Sequence, residues 1–241
     1  MKIQWLGHSA FKIVSDQGVN IYIDPWIKDN PVCPITLEEA KDADIVCVTH
    51  GHEDHLGDAI EIVKKSGAKL ICSPEIGNYA TLHGIPYDEG SIPINIGGCT
   101  THKGITIHAT PSVHVSALYG EEWFKNKVML PNGSSMGFVI VTEDGHRVFH
   151  AGDTGLTYDL KLVGEIYNPD VALLPIGGRY TMTPELAARA AAWVGAPRVI
   201  PMHYNTFPSN QQDPQRYLEL INNLTSGIDV VVLKPGEMLT V

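Results

Sequence analysis

Short runs that mix apolar and polar residues open the chain. Ile3-Gln-Trp5-Leu6 and Ala10-Phe-Lys-Ile-Val14 are apolar runs each broken by one polar residue, and Asp16-Gln-Gly18 turns the second into Val19-Asn-Ile-Tyr-Ile23. This spacing predicts an early meander of short β-strands. Asp24-Pro25-Trp26 ends it, because proline has no N–H to give a ladder. Thr36 followed by Glu39 has the form of a capping box before a short helix. Residues 44–49 then read as a buried strand, followed by a polar, histidine-rich loop. A helix over about residues 57–66, a strand at 68–72 and a helix after Pro74 complete the first half.

The pattern then repeats in outline. Residues 92–96, 104–110 and 137–142 read as strands, and Glu143-Asp-Gly145 makes a hairpin turn into 146–150. After these come a helix at 156–166, a strand at 170–175, a helix at 184–193, a strand at 198–202 and a helix at 214–224. Strands at 228–233 and 238–241 close the chain. No linker or low-complexity tract interrupts it, so a single domain over residues 1–241 is expected. Each half runs from meandering strands into alternating strand and helix. That order predicts an α/β fold, a four-layer αββα sandwich of two mixed β-sheets packed face to face with helices outside. The least regular stretch is 115–136, with Tyr119, Trp123, Phe124 and Asn132-Gly133. It reads either as a lid or as a surface loop.

Composition narrows the function classes. Seventeen Lys and Arg against 27 Asp and Glu give a formal charge of -10. A chain so acidic is not expected to grip nucleic acid or an anionic membrane, which are held by clustered cations. No stretch approaches the roughly 18 apolar residues of a membrane span, and the N-terminus does not read as a secretory signal. The four cysteines, Cys33, Cys47, Cys72 and Cys99, form no CxxC pair, and Cys47 and Cys72 sit inside apolar runs. Free thiols in a reducing cytoplasm are expected. A small-molecule substrate is the expected partner, and self-association into a homo-oligomer is left open.

The chemistry concentrates in Thr49-His50-Gly51-His52-Glu53-Asp54-His55-Leu56-Gly57. It lies between a predicted strand and a predicted helix. His50 and His52, two residues apart in an extended turn, point the same way, and Asp54 and His55 project from the start of the helix. Three imidazoles and a carboxylate so close together are costly to bury without a cation. Imidazole and carboxylate are ligands of zinc, and of manganese or iron in harder sites. Further candidates stand after other predicted strands: His114, Asp153 in His150-Ala-Gly-Asp153, and His203 in Pro201-Met-His203. Gly152 lets the backbone come close there.

The order HxHxDH, a later His, an Asp in AGDT and a final His resembles the metallo-β-lactamase superfamily. Trp5-Leu-Gly-His8-Ser, Ile23-Asp24-Pro25-Trp26, Leu174-Pro-Ile-Gly-Gly178 and Met202-His-Tyr-Asn-Thr-Phe-Pro208 resemble its small single-domain metal-dependent hydrolases, akin to phosphorylated-ascorbate lactonase. The resemblance spans essentially the whole chain. It implies two divalent ions, Zn2+ before Mn2+ or Fe2+. His50, His52 and His114 would hold one, Asp54, His55 and His203 the other, and Asp153 would bridge. It further implies hydrolysis by a bridging hydroxide of a small ester, lactone or phosphodiester. Asp153 would hold the pair together, and Asp54 would also pass a proton to the leaving group.

Other residues carry two readings each. His8 either supports the ligands or meets substrate, or is a hydrogen-bonded turn histidine. Asp24 either orients a ligand imidazole or only forms a turn before Pro25. Tyr204 either donates to a developing oxyanion or packs. Arg179 and Tyr180 either meet an anionic group or are solvated. His150 reads as supporting, and His83, His102, His108 and His146 as solvated or core residues. Two rival functions remain: an iron-loaded redox enzyme, and a metal- or ligand-binding protein of the same fold without turnover. No GxSxG elbow supports a serine hydrolase.

Overall fold

The computed structural model describes residues 1–118 and 130–241. The first half forms β1 (Lys2–Trp5), β2 (Phe11–Val14), β3 (Asn20–Ile23), β4 (Ile45–Cys47), β5 (Lys69–Cys72) and β6 (Ser91–Pro93). The second forms β7 (Cys99–His102), β8 (Ile105–Pro111), β11 (Met136–Val141) and β12 (Arg147–His150). β13 (Val171–Pro175), β14 (Arg198–Met202), β15 (Asp229–Val230) and β16 (Met238–Thr240) follow. A separate small ribbon pairs β9 (Ala117–Leu118) with β10 (Leu130–Pro131).

Two seven-stranded sheets result. One runs β16-β1-β2-β3-β4-β5-β6, the other β15-β14-β13-β12-β11-β8-β7. In each, an antiparallel meander gives way to parallel strands, at β3–β4 in the first sheet and β12–β13 in the second. This is the mixed αββα sandwich that the sequence predicts.

Strand alternation divides the apolar residues of the first sheet between two cores. Ile45 and Cys47 belong to the cluster shared with Ile107 and Phe138 of the second sheet. Val46 and Val48 join Leu70 and Cys72 in the cluster packed by α2 (Ala59–Ser66) and α3 (Pro74–Leu82). Both faces of β4 are therefore covered, which is why its run is apolar throughout. The second sheet is backed by α4 (Asp159–Tyr167), α5 (Pro184–Val194) and α6 (Pro214–Leu224). α3, α5 and α6 each begin with proline after a Ser73, Thr183 or Asp213 cap that accepts a backbone N–H. Proline lacks the N–H that would be orphaned at that position.

Several boundaries differ from expectation. The Thr36 capping box leads into a 3-10 turn, Glu39–Asp42, with Glu39 accepting from the Thr36 N–H. β7 was not anticipated, because Cys99-Thr-Thr-His102 lies at an edge and carries no apolar alternation. The predicted strand at 228–233 is only two residues long. Half of the stretch read as a lid, 119–129 of 115–136, lies outside the described residues; its described flanks form the β9–β10 ribbon.

The helix predicted at about 57–66 is α2, and a separate single turn, α1 (Glu53–Leu56), precedes it, the two parted at Gly57. Gly57 has φ +43°, and a Cβ there would lie 2.6 Å from the Trp26 Cα. The break brings the histidine loop against the turn after β3. Gly67, which ends α2, also has positive φ, but a Cβ there would meet open space. Gly57→Ala should therefore lower stability by about 2–3 kcal/mol, and Gly67→Ala by only about 1. Urea midpoints of the two variants test this, and equal midpoints would contradict it.

Candidate metal centre

The parallel strands deliver chemistry at their carboxyl ends. β3 leads to Asp24, β4 to the histidine loop, β12 to Asp153 and β14 to His203. His114 follows β8 and His8 follows β1. His52 occupies the N-cap of α1 in extended backbone, while Asp54 and His55 ride its single turn. The structure brings all seven ligands implied by the resemblance together.

The donor spacings suit cations. His50 Nε2 lies 2.9 Å from His52 Nδ1, and His114 Nε2 lies 3.4 Å from that same nitrogen. Four donors around zinc at about 2.0–2.1 Å stand about 3.3 Å apart. Asp153 links this trio to a second group. Its Oδ2 is 3.6 Å from His114 Nε2 and 3.0 Å from His203 Nε2, and its Oδ1 is 3.3 Å from His55 Nε2. Asp54 Oδ2 lies 4.0 Å from His55 Nε2 and 3.9 Å from His203 Nε2. One donor atom from each of His8, Asp54, His55 and His203 falls within 4.8 Å of the others. His55 Nε2 and Asp153 Oδ1 are buried without a hydrogen-bond partner. Such orphaned donors facing one another fit a bound cation.

The electrostatics agree. Burial would raise the carboxyl of Asp153, but the charges of His203 and His55 outweigh it and hold it well below its usual range. The Asp54 carboxyl is likewise depressed: His55 and the hydrogen bond from His8 overcome burial. Burial, with the charge of His55, lowers His50 well below 6.5 and His52 to about 4. His55 alone moves up. Burial opposes its charge, but Asp153, Asp24 and Asp54 surround it and win. Three carboxylates around one imidazole mark a point where positive charge is strongly favoured.

Asp24 is fully buried and braces both groups. Its Oδ1 accepts the Thr49 N–H at 2.8 Å, and its Oδ2 accepts the Thr49 hydroxyl at 2.7 Å. That Oδ2 also lies 2.7 Å from His55 Nδ1, and Thr49 Oγ1 lies 3.0 Å from His50 Nδ1. One carboxylate thus orients a histidine of each group. Four of the seven non-glycine residues with positive φ among those described are His8, Asp24, His203 and Asn205. Such strain persists only where surrounding contacts hold it. His150 is buried and bonds the Ser9 carbonyl and the Gly152 N–H, a structural position that seats the Asp153 turn. A Cβ on Gly152 would lie 2.6 Å from the Met136 carbonyl, so only glycine fits that close approach.

Other candidates lie elsewhere. Tyr204 stacks on Trp5 with centroids 5.5 Å apart, and burial raises its hydroxyl to about 12. It packs and lines neither cavity described below. His83 and His108 sit against Tyr79 and Tyr167, and His146 lies between Asp16 and Asp170. Thr49 and Thr206 were missed by sequence reasoning. The one available signal for each is a hydroxyl residue flanking a candidate loop.

Two cavities meet at Glu53 and Asp54. One, of about 460 Å3, is lined by His52, His114, Asp153, His203, Val115 and Tyr180 as well. The other, of about 410 Å3, has aromatic walls from Trp26, Tyr79 and Phe207. Arg179 lies over the Tyr180 ring at 5.3 Å. No helix among the described residues is long and apolar enough to cross a membrane.

Comparison with known proteins gives concordant results. The family model for the beta-lactamase superfamily domain matches residues 2–203. A metal-dependent hydrolase of Methanobrevibacter smithii is 47% identical over 98% of this chain and 95% of its own. A metal-dependent hydrolase of Rubrobacter xylanophilus is 40% identical over 99% of this chain and 96% of its own. The structure of a metallo hydrolase from the archaeon Ignicoccus hospitalis superimposes with a TM-score of 0.85 at 40% identity. It covers 99% of this chain and 97% of that one.

Buried neutral imidazoles make the metal-free protein acid-sensitive. His8, His50, His52, His114 and His150 are all lowered, with burial the largest cause. Between pH 6.5 and about 4, the unfolded chain takes up protons on these residues that the fold refuses. Stability therefore falls as pH drops, by about 1.4 kcal/mol per pH unit for each unmatched proton. His55 has the opposite sign: its contribution is fully present below pH 6.5 and is lost as pH rises through its elevated folded value. His55 therefore adds no slope below pH 6.5 and the five lowered residues set it, so chelator-treated protein should melt at steadily lower temperature from pH 6.5 to 4. A flat or rising melting temperature would contradict this charge assignment.

Proposed function

The chain belongs to the metallo-β-lactamase superfamily and its metal-dependent hydrolases, and from that membership we propose a dinuclear hydrolase of small esters, lactones or phosphodiesters. The observation that carries this reading is the position of Asp153, whose two oxygens approach His55, His114 and His203 and so join two donor groups. His50, His52 and His114 would hold one cation and Asp54, His55 and His203 the other, with Asp153 between. The imidazole-rich donor set favours zinc, with manganese or iron(II) as competitors. Bound there, such a pair supplies Lewis-acid polarisation and makes hydroxide available near neutral pH.

The protein's own part is orientation and charge. Asp24 and Thr49 fix the ring planes of His55 and His50, so the donors are set before substrate arrives. Asp54 borders both cavities. Because it faces both, we assign it to take a proton from attacking water and deliver it to the leaving group. Val115 and Tyr180 shape the mouth, and about 460 Å3 accommodates a small organic substrate rather than a polymer. The acidic charge supports the same choice over nucleic acid or an anionic membrane. The free cysteines support a reducing, cytoplasmic setting.

Two substitutions test the assignment. Asp153→Ala should reduce bound metal and lower hydrolysis of chromogenic phosphodiesters or lactones at least 100-fold. His102→Ala, on edge strand β7, should leave both near wild type. Metal analysis and initial rates read the outcome, and equal activity in the two variants would sink the dinuclear reading. Loaded metal without turnover of any ester class would point to a binding protein instead.

A further inference from the structure

His8 lies more than forty residues before the histidine loop, yet its side chain is wholly buried within the cluster. Its Nε2 lies 3.0 Å from Asp54 Oδ2 and its Nδ1 lies 2.9 Å from Thr206 Oγ1. The ring stands 3.9 Å from that of His203, and its edge contacts Trp26 and Phe207 at 5.4 and 5.5 Å. The backbone is left-handed at φ 55°, and the His8 carbonyl accepts the His203 N–H at 3.0 Å. Every side of this imidazole is thus fixed.

Two roles are open to such a residue: an additional donor to the second cation, or a holder of Asp54. Coordination number separates them. Asp54, His55, His203 and the shared Asp153 already offer the four donors that zinc commonly takes. His8 Nε2 is directed at the Asp54 carboxylate, and its Nδ1 at the Thr206 hydroxyl. An ionised carboxylate only accepts, so Nε2 must carry the proton directed at Asp54. In the neutral ring Nδ1 is then an acceptor, and the Thr206 hydroxyl donates to it.

Resting on the dinuclear reading, we propose that His8 is a positioning residue for the second cation. It acts through Asp54, with Thr206 selecting its tautomer. The chain Thr206–His8–Asp54 serves the second group as Asp24–His55 does, but it holds the carboxylate ligand instead of the imidazole. Partners of this kind change metal affinity by about 10–100-fold when removed. The first position, held by His50, His52 and His114, does not involve His8.

The test uses substitutions matched to the left-handed backbone. Asparagine tolerates that conformation but is too short to reach Asp54. Glutamine places an amide N–H near the original Nε2. Zn2+ titrations against a chromophoric chelator should show two equivalents for wild type. In His8→Asn the weaker equivalent should lose 10–100-fold in affinity while the other stays unchanged. His8→Gln should recover most of that loss, and Thr206→Val should show a smaller loss at the same equivalent. Circular dichroism confirms that each variant is folded. Wild-type affinities in His8→Asn would overturn the proposal and leave the dinuclear reading intact. So would a folded His8→Gln as weak as His8→Asn, because the ring would then be a donor to the cation itself. Fewer than two equivalents in wild type would overturn both readings.

Discussion

Three carboxylates converge on His55, and the concentration of negative charge they create governs this molecule's architecture. Asp24, Asp54 and Asp153 come from the end of β3, the one-turn helix α1 and the loop after β12. Asp24 and Asp153 are almost entirely buried. Buried carboxylates survive only when paired or bound to a cation. His8, His50, His52 and His114, whose basicity burial lowers, are suited to donate lone pairs rather than supply counter-charge. The strained backbone at His8, Asp24 and His203 and the close approach at Gly152 all follow from crowding these groups into one place.

The two sheets share the task. His8, Asp24 and the histidine loop come from the first sheet, while His114, Asp153 and His203 come from the second. Alternation along β4 makes this possible, since it commits one face to the joint between the sheets and the other to the helices. The centre therefore lies along the edge of the joint, where carboxyl ends of parallel strands from both sheets meet. Ligands in α/β proteins commonly bind at such ends.

Much of this was legible because the signals were local. The apolar run at 44–49, the proline-led helices and the HGHEDH loop each declare themselves within a few residues. The seven candidate donors were readable together because each follows a recognisable strand. The unread parts depend on distant partners. Nothing near His8 announces Asp54 or Thr206, which lie 46 and 198 residues away. Asp24 held two open readings until Thr49 and His55 appeared beside it. Tyr204 adjoins His203 in sequence, yet stacking on Trp5 turns it into the packing. β7 carries no local signal because an edge strand needs no apolar rhythm.

The pairing of β1 with β16 bears on how the protein is made. β1 carries the chain directly to His8, and its outer neighbour is Met238–Thr240. During synthesis, the first sheet keeps an unpaired flank until residue 240 has emerged from the ribosome. The strand that leads to His8 is thus closed by one more than 230 residues further along the chain. A nascent chain halted before that point would hold most of the donors but expose a bare ladder beside them, and chaperones would need to shield it from other chains.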